Sequence, residues 1–138
     1  MYPSKFCKPV LLTLALLVGC TNSDRESLQG TVTLDGYPLA EGAISFRPQP
    51  GTQGPTAGAK IKDGTFTIAS EGGTFTGTFR VEITASRKTG QQRLDQITGT
   101  MVDEYEQYLP ARYNKESELI AEVTEGGKNE FPFELSSQ

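Results

Sequence analysis

The sequence predicts an all-β sandwich of about seven strands. Three observations carry this. Residues 75–85 alternate strictly, with Phe75, Gly77, Phe79, Val81, Ile83 and Ala85 on one side and Thr76, Thr78, Arg80, Glu82 and Thr84 on the other. A period of two over eleven residues is that of a central strand with one face in a core. Two Asp-Gly pairs, Asp35-Gly36 and Asp63-Gly64, punctuate shorter alternating runs, and glycine supplies the positive φ of a tight turn at no steric cost. Near the end, two further alternating runs flank Glu125-Gly126-Gly127.

Taken in order, the first strand covers residues 28–34, where Leu28, Gly30, Val32 and Leu34 alternate with Gln29, Thr31 and Thr33. A second follows at 43–48, built on Ile44 and Phe46 and ended by Pro48. Residues 49–56 hold two prolines and two glycines without an apolar period, which reads as a loop. A weak strand at 57–61 and a strand at 65–69 flank Asp63-Gly64, and Glu71-Gly72-Gly73 turns the chain into the central strand. The last two strands lie at 117–124 and 128–135, joined through the glycines between them. Pro132 cannot donate to a ladder, so the final strand is expected at an edge. Residues 87–113 are the least regular stretch. A connection this long inside a small domain is usually functional or disordered. Within it, Glu104–Leu109 is expected to form a helical turn stopped by Pro110.

The N-terminus reads as an address. Lys5 and Lys8 form a basic region, Val10–Val18 is a nearly unbroken apolar run, and Gly19-Cys20 closes it before a polar stretch. That is the layout of a secretory signal peptide, and the apolar run is short of the roughly 20 residues a membrane span needs. Leu17-Val18-Gly19-Cys20 resembles the bacterial lipobox. The resemblance implies cleavage between Gly19 and Cys20, lipidation of the Cys20 sulfur and attachment of the exported chain to a membrane. Several acyl chains on one residue make such an anchor effectively permanent, whereas a single chain holds weakly. Thr21 stands where an Asp retains many lipoproteins in the inner membrane, so the outer membrane is favoured. The expected organisation is then residues 1–19 as signal peptide, 20–27 as tether and 28–138 as the sandwich domain.

The segment from Gly30 to Phe46, Gly-Thr-Val-Thr-Leu-Asp-Gly-Tyr-Pro-Leu-Ala-Glu-Gly-Ala-Ile-Ser-Phe, resembles the opening of carboxypeptidase regulatory-like domains. These share a transthyretin-like (prealbumin-like) seven-stranded Greek-key sandwich. The resemblance implies that Leu39 plugs one end of the sandwich and that Gly42 lets the second strand start beside it. Asp63, Gly64, Phe66 and Ile68 match a hairpin motif of the same family. Lys60 and Lys62 replace its acidic or small polar residues, which speaks against a calcium site there. Thr76-Gly77-Thr78-Phe79-Arg80-Val81-Glu82-Ile83 matches a third family motif, with Thr76 for a proline and Phe79 for a tyrosine. Tyr108-Leu109-Pro110-Ala111-Arg112-Tyr113-Asn114 resembles a segment of small lipoproteins abundant in Planctomycetes, where a lipobox also precedes a transthyretin-like domain. A stalk domain of similar topology closed by an isopeptide bond is disfavoured, because the first strand holds no lysine.

Composition narrows the function. The chain contains no histidine, so it lacks the usual general base near neutral pH, the commonest transition-metal ligand and any Ser-His-Asp arrangement. Hydrolases of the transthyretin-like group rely on histidine. Its two cysteines are Cys7, which leaves with the signal, and Cys20, which takes the lipid. No cofactor and no metal site is expected. The whole chain carries −4 and the signal two lysines and no acid, leaving −6 on the exported part. An acidic surface repels phosphate backbones, so nucleic acid is not an expected partner.

The densest cluster of chemistry-bearing residues is Asp103, Glu104, Tyr105 and Glu106, followed by Tyr108, Arg112 and Tyr113. Glu104, Tyr105, Glu106, Tyr108, Arg112 and Tyr113 form the candidate binding surface for envelope proteins, glycans or peptides, with the membrane held through Cys20. A carboxylate-dependent hydrolase centred on Asp103–Glu106 is the enzyme alternative. Arg80, Arg87, Lys88 and Arg93 form a modest basic cluster that suits anionic lipid or wall polymer. The expected role is a non-catalytic binding or structural module of the cell envelope.

Overall fold

A computed structural model describes residues 24–138. The expected signal peptide and lipobox, with Cys20, lie outside the described residues. The described chain is all-β. Its strands are β1 (Leu28–Leu34), β2 (Tyr37–Pro38), β3 (Glu41–Pro48), β4 (Ala57–Lys62), β5 (Thr65–Ile68), β6 (Gly77–Thr84), β7 (Ser86–Leu94), β8 (Met101–Gln107), β9 (Ile120–Val123) and β10 (Glu130–Leu135). Single 3-10 turns at Ser70–Gly72 and Ala111–Tyr113 are the only helical elements among the described residues, and none is long and apolar enough to cross a membrane.

Seven strands form one curled sheet in the order β10-β1-β5-β4-β3-β6-β9, with β2 paired to the end of β1. They correspond to the seven strands expected from the sequence, the weak one at 57–61 included. All neighbours run antiparallel except β1 and β10, which are parallel from Gln29↔Glu130 to Leu34↔Leu135. The last two strands are consecutive yet not paired with each other: β9 lies beside β6 and β10 beside β1, at opposite ends of the strand order. Pro132 therefore sits in an edge strand, as its missing N–H requires. Both Asp-Gly pairs have two successive positive φ angles, 51° and 84° at Asp35-Gly36 and 51° and 74° at Asp63-Gly64. That is the type I′ geometry, whose twist matches the strands it joins.

Curling turns one face of the sheet inward. Phe46, Phe79, Val32, Val81 and Ile83 are fully buried there, joined by Leu28, Ile44, Ile61, Ala121 and Val123. Phe46, Phe66, Phe131 and Phe133 pack as a chain of rings with centroids 5.8–6.4 Å apart. Tilted and offset aromatic pairs of this kind add to the plain burial of their area. Gly30 makes the parallel pairing possible, because a Cβ there would stand 2.0 Å from the Phe131 carbonyl oxygen. Leu39 is buried, and a Cβ on Gly42 would meet the Thr84 carbonyl oxygen at 2.6 Å and the Leu39 side chain at 3.2 Å. The close approach of the β3 start to Leu39 expected at Gly42 is present, and Leu39 is buried beside it.

The registers define two ends. Leu28, Ile68, Ala57, Gly77 and Glu130 lie toward one end; Leu34, Glu41, Lys62, Thr84 and Leu135 lie toward the other. The described chain comes in at the first end, where Glu26 bridges Thr74. At the second end, β6 runs out into the irregular stretch of the sequence.

That stretch is a correction to the expected helical turn. Glu104–Gln107 belongs to β8, which pairs with β7 as a separate two-stranded sheet. The reason is pairing: β7 offers β8 a full antiparallel partner, from Ser86↔Gln107 to Leu94↔Met101. One bulge between Lys88 and Gln92 interrupts it. The two strands form an arm whose main contacts are with each other; every residue of β7 is exposed, and in β8 only Val102, Asp103 and Glu104 are half-buried.

Candidate functional site

The arm leaves the sheet from a buried root. Ala85 ends the inward-facing alternation and is buried, as is Leu109 on the return. The side-chain oxygen of Gln107 accepts hydrogen bonds from the Ala85 and Leu109 backbone N–H groups, both at 3.0 Å, and the Tyr108 N–H donates to the Ala85 carbonyl at 3.1 Å. Tyr108 packs against the core with Arg87 over its ring at 5.4 Å. These contacts clamp both strands at their exit.

Along the arm, cross-strand partners share a face. Leu94, Met101, Gln92, Asp103, Lys88 and Tyr105 lie on one side, and Arg87, Glu106, Arg93, Val102 and Glu104 on the other. Lys88 Nζ meets Asp103 at 2.6 Å and Gln92 donates to the same carboxylate at 3.1 Å. The hydrogen bond from Lys88 holds the Asp103 carboxyl below the usual aspartate range, and Asp103 in turn raises Lys88. Arg87 and Glu106 pair at 2.8 Å on the opposite face. Pairs this exposed contribute little to stability, but they fix which side chains stand up on each face.

At the tip, Asp95 organises the turn. Its carboxylate accepts the N–H groups of Ile97 at 2.8 Å and Thr98 at 3.0 Å, and its backbone pairs with Thr100 and Gly99. The two backbone bonds, from Thr98 and then Ile97, lower the carboxyl below its ordinary value. The effect is to present Ile97 outward. Ile97 is 95% exposed, Leu94 50%, Met101 58% and Tyr105 61%. These are four of the seven large hydrophobic residues that stand exposed among the described residues; the others are Tyr37, Phe75 and Ile120.

The sequence-derived site residues fall in three places. Glu104, Tyr105 and Glu106 lie on β8 of the arm, Tyr108 lies at its root, and Arg112 and Tyr113 lie beyond it. Arg112 sits over the Tyr113 ring at 4.8 Å and donates to the Ser136 carbonyl at 2.6 Å and to the Gln138 carbonyl; the Tyr113 hydroxyl accepts the Ser136 N–H at 2.9 Å. This pair fastens the C-terminal segment to the domain. Asp103 and Glu106, from the enzyme alternative, are engaged by Lys88 and Arg87, with side chains 36% and 49% exposed. Arg80 stands apart from Arg87, Lys88 and Arg93: it lies on β6, donates to the Asn114 and Lys115 carbonyls and reaches Glu82 at 3.4 Å. Among the described residues no cluster of three or more acidic side chains is placed to hold a metal ion.

Beside the root is a shallow groove of about 490 Å³, where Lys62 and Arg87 face Glu41 and Asp63. Its charges balance, so it favours no ligand sign. Sequence reasoning missed Leu94, Ile97 and Met101, the residues the arm displays. The signal present was weak: Thr98-Gly99 as a turn, with Leu94 four residues before it and Met101 two after. Comparisons with family models, with curated proteins and with solved structures return no match.

Proposed function

We propose that this chain is a lipid-anchored cell-envelope module with a transthyretin-like Greek-key sandwich as scaffold and the β7–β8 arm as contact element. The observation that carries the reading is the display of Ile97, Leu94 and Met101 on an arm that shares no core with the domain. An isolated hairpin is marginal in water. Its geometry makes sense when something else covers it.

The lipobox-like Leu17-Val18-Gly19-Cys20 supplies the anchor. The strand order, with three strands β10-β1-β5 leading into four strands β4-β3-β6-β9, suits two layers of a sandwich. The anchor and the arm would then act at opposite ends of the domain, since the chain comes in beside Leu28 and the arm leaves beside Thr84. The domain would hold the arm off the membrane surface.

Photo-crosslinking in cells tests the contact role. A photoreactive residue at position 97 should yield adducts with envelope components, while the same residue at the exposed Lys60 should yield few. Adducts from position 60 and none from position 97 would overturn the reading. For the anchor, Cys20→Ser should move the protein from the membrane fraction to the soluble one.

A further inference from the structure

We infer that Ser136–Gln138 is a releasable strap. It closes the side of the sheet that no strand pairing closes, and the domain opens there first, hinging on residues 124–129 at the far end. This does not depend on what the anchor or the arm touches.

The sheet has two margins that are not paired with each other. Among the described strands β9 is paired to β6 alone and β10 to β1 alone. Residues 110–119 carry the first margin on along β6. There the Asn114 side-chain N–H donates to the Ile83 carbonyl at 3.4 Å, the Ser117 hydroxyl donates to the Val81 carbonyl, and the Val81 N–H donates to the Leu119 carbonyl at 2.8 Å. Side chains thus stand in for a strand and fix this segment to β6. The second margin is carried on by Ser136–Gln138, which leaves β10 where the Asp35 N–H donates to the Leu135 carbonyl at 2.9 Å. Tyr113 and Leu119 on one margin and Phe131 on the other are half-buried against the core.

The two ends join these margins differently. Toward Leu28 the chain itself crosses, through residues 124–129, and Asn129 pins the crossing from a buried position. Its side chain bonds the Thr124 N–H and carbonyl, both at 2.9 Å, and its own carbonyl accepts the Gln29 N–H at 3.1 Å. Toward Leu34 the join is made of side chains. Arg112 reaches over to donate to the Ser136 and Gln138 carbonyls, and the Tyr113 hydroxyl accepts the Ser136 N–H at 2.9 Å. On its own side the strap is held by Asp35, whose two carboxylate oxygens accept the Ser137 N–H at 2.9 Å and the Ser137 hydroxyl at 2.6 Å.

The difference sets the direction of opening. Every strap contact lies in exposed surroundings, so water can replace each partner on release and none is left unsatisfied. Exposed pairs of this kind contribute little individually, and a region held by few buried contacts opens well below the cost of global unfolding. At the other end the crossing is covalent and its pin is buried. Release of the strap therefore frees residues 110–119 and the end of β10 while the hinge holds.

The test is native-state hydrogen exchange on the full chain, comparing the parent with the double variant Arg112→Ala, Ser137→Ala and with the milder Tyr113→Phe. Both positions of the double variant are exposed, so the fold is kept. Amides of 113–119 and 133–136 should exchange about tenfold faster in the double variant, those of β3, β6 and 124–129 less than twofold faster, and Tyr113→Phe should act in the same places by a smaller factor. Acceleration spread evenly over all strands would overturn the inference, since the contacts would then be ordinary stabilising ones. No acceleration at 113–119 and 133–136, or a larger one at 124–129, would overturn it as well.

Discussion

The curled sheet and the β7–β8 arm are built from the same kind of strand and serve opposite ends. In the sheet every strand hides one face: Val32, Phe46, Phe79, Val81 and Ile83 are fully buried. In the arm no residue is fully buried, and residues of the same apolar type, Leu94, Ile97 and Met101, stand in water. A strand therefore takes its role from what covers it rather than from its pairing. The sheet uses burial for stability, and the arm uses pairing, a clamped root and a braced tip to hold a shape while leaving its apolar side chains free.

That contrast breaks most visibly in the core. Phe79→Ala removes a fully buried ring from the central strand and should cost about 3–5 kcal/mol, a large part of the ~5–15 kcal/mol a domain has. Thermal or denaturant unfolding reads it directly. Gly30→Ala comes next: its Cβ would stand 2.0 Å from the Phe131 carbonyl oxygen, so β10 must shift. A loss of about 1–3 kcal/mol is expected, with β10 amides exchanging faster than those of β6.

At the boundary between the regions, Gln107→Ala removes the acceptor of two backbone N–H groups. A loss of about 1–2 kcal/mol is expected, with exchange rising in β7 and β8 before it rises in the sheet. Smaller again is the effect of acid on the arm. Asp95 and Asp103 both have carboxyls held below their ordinary value, by the Thr98 and Ile97 N–H groups and by Lys88 respectively. A depressed folded value means the ordering they provide is complete above the unfolded value near 4 and fades as pH falls through the folded one. Amide shifts of Ile97 and Thr98 should titrate below pH 4 while core resonances stay still; a midpoint at or above 4 would contradict the Asp95 brace.

The sequence made the sheet legible and the arm obscure for one physical reason. Alternation is visible only where one face meets a core, which is why residues 28–34, 43–48 and 75–85 read correctly as strands. In 86–107 both faces are wet and charges sit on each, so no apolar period survives; the run Glu104–Gln107 then passed for a helical turn. Pairing partners were equally hidden. Nothing in β9 or β10 announces that they lie at opposite ends of the strand order, because that is decided by contacts far along the chain. Of the candidate site, the acidic and tyrosine residues of β8 were visible by type. Leu94, Ile97 and Met101 were not, since isolated apolar residues in a polar stretch look alike whether buried or displayed.

The central claim is that the sheet stands without the arm, which is free to make contacts. The most direct test replaces residues 88–105 with Asn-Gly, a two-residue turn suited to the antiparallel pair Arg87↔Glu106, and measures thermal unfolding against the parent. The account predicts a midpoint within the ~0.5 kcal/mol range of surface changes. A loss of the size expected for Phe79→Ala would contradict it, because the arm would then be part of what holds the fold together.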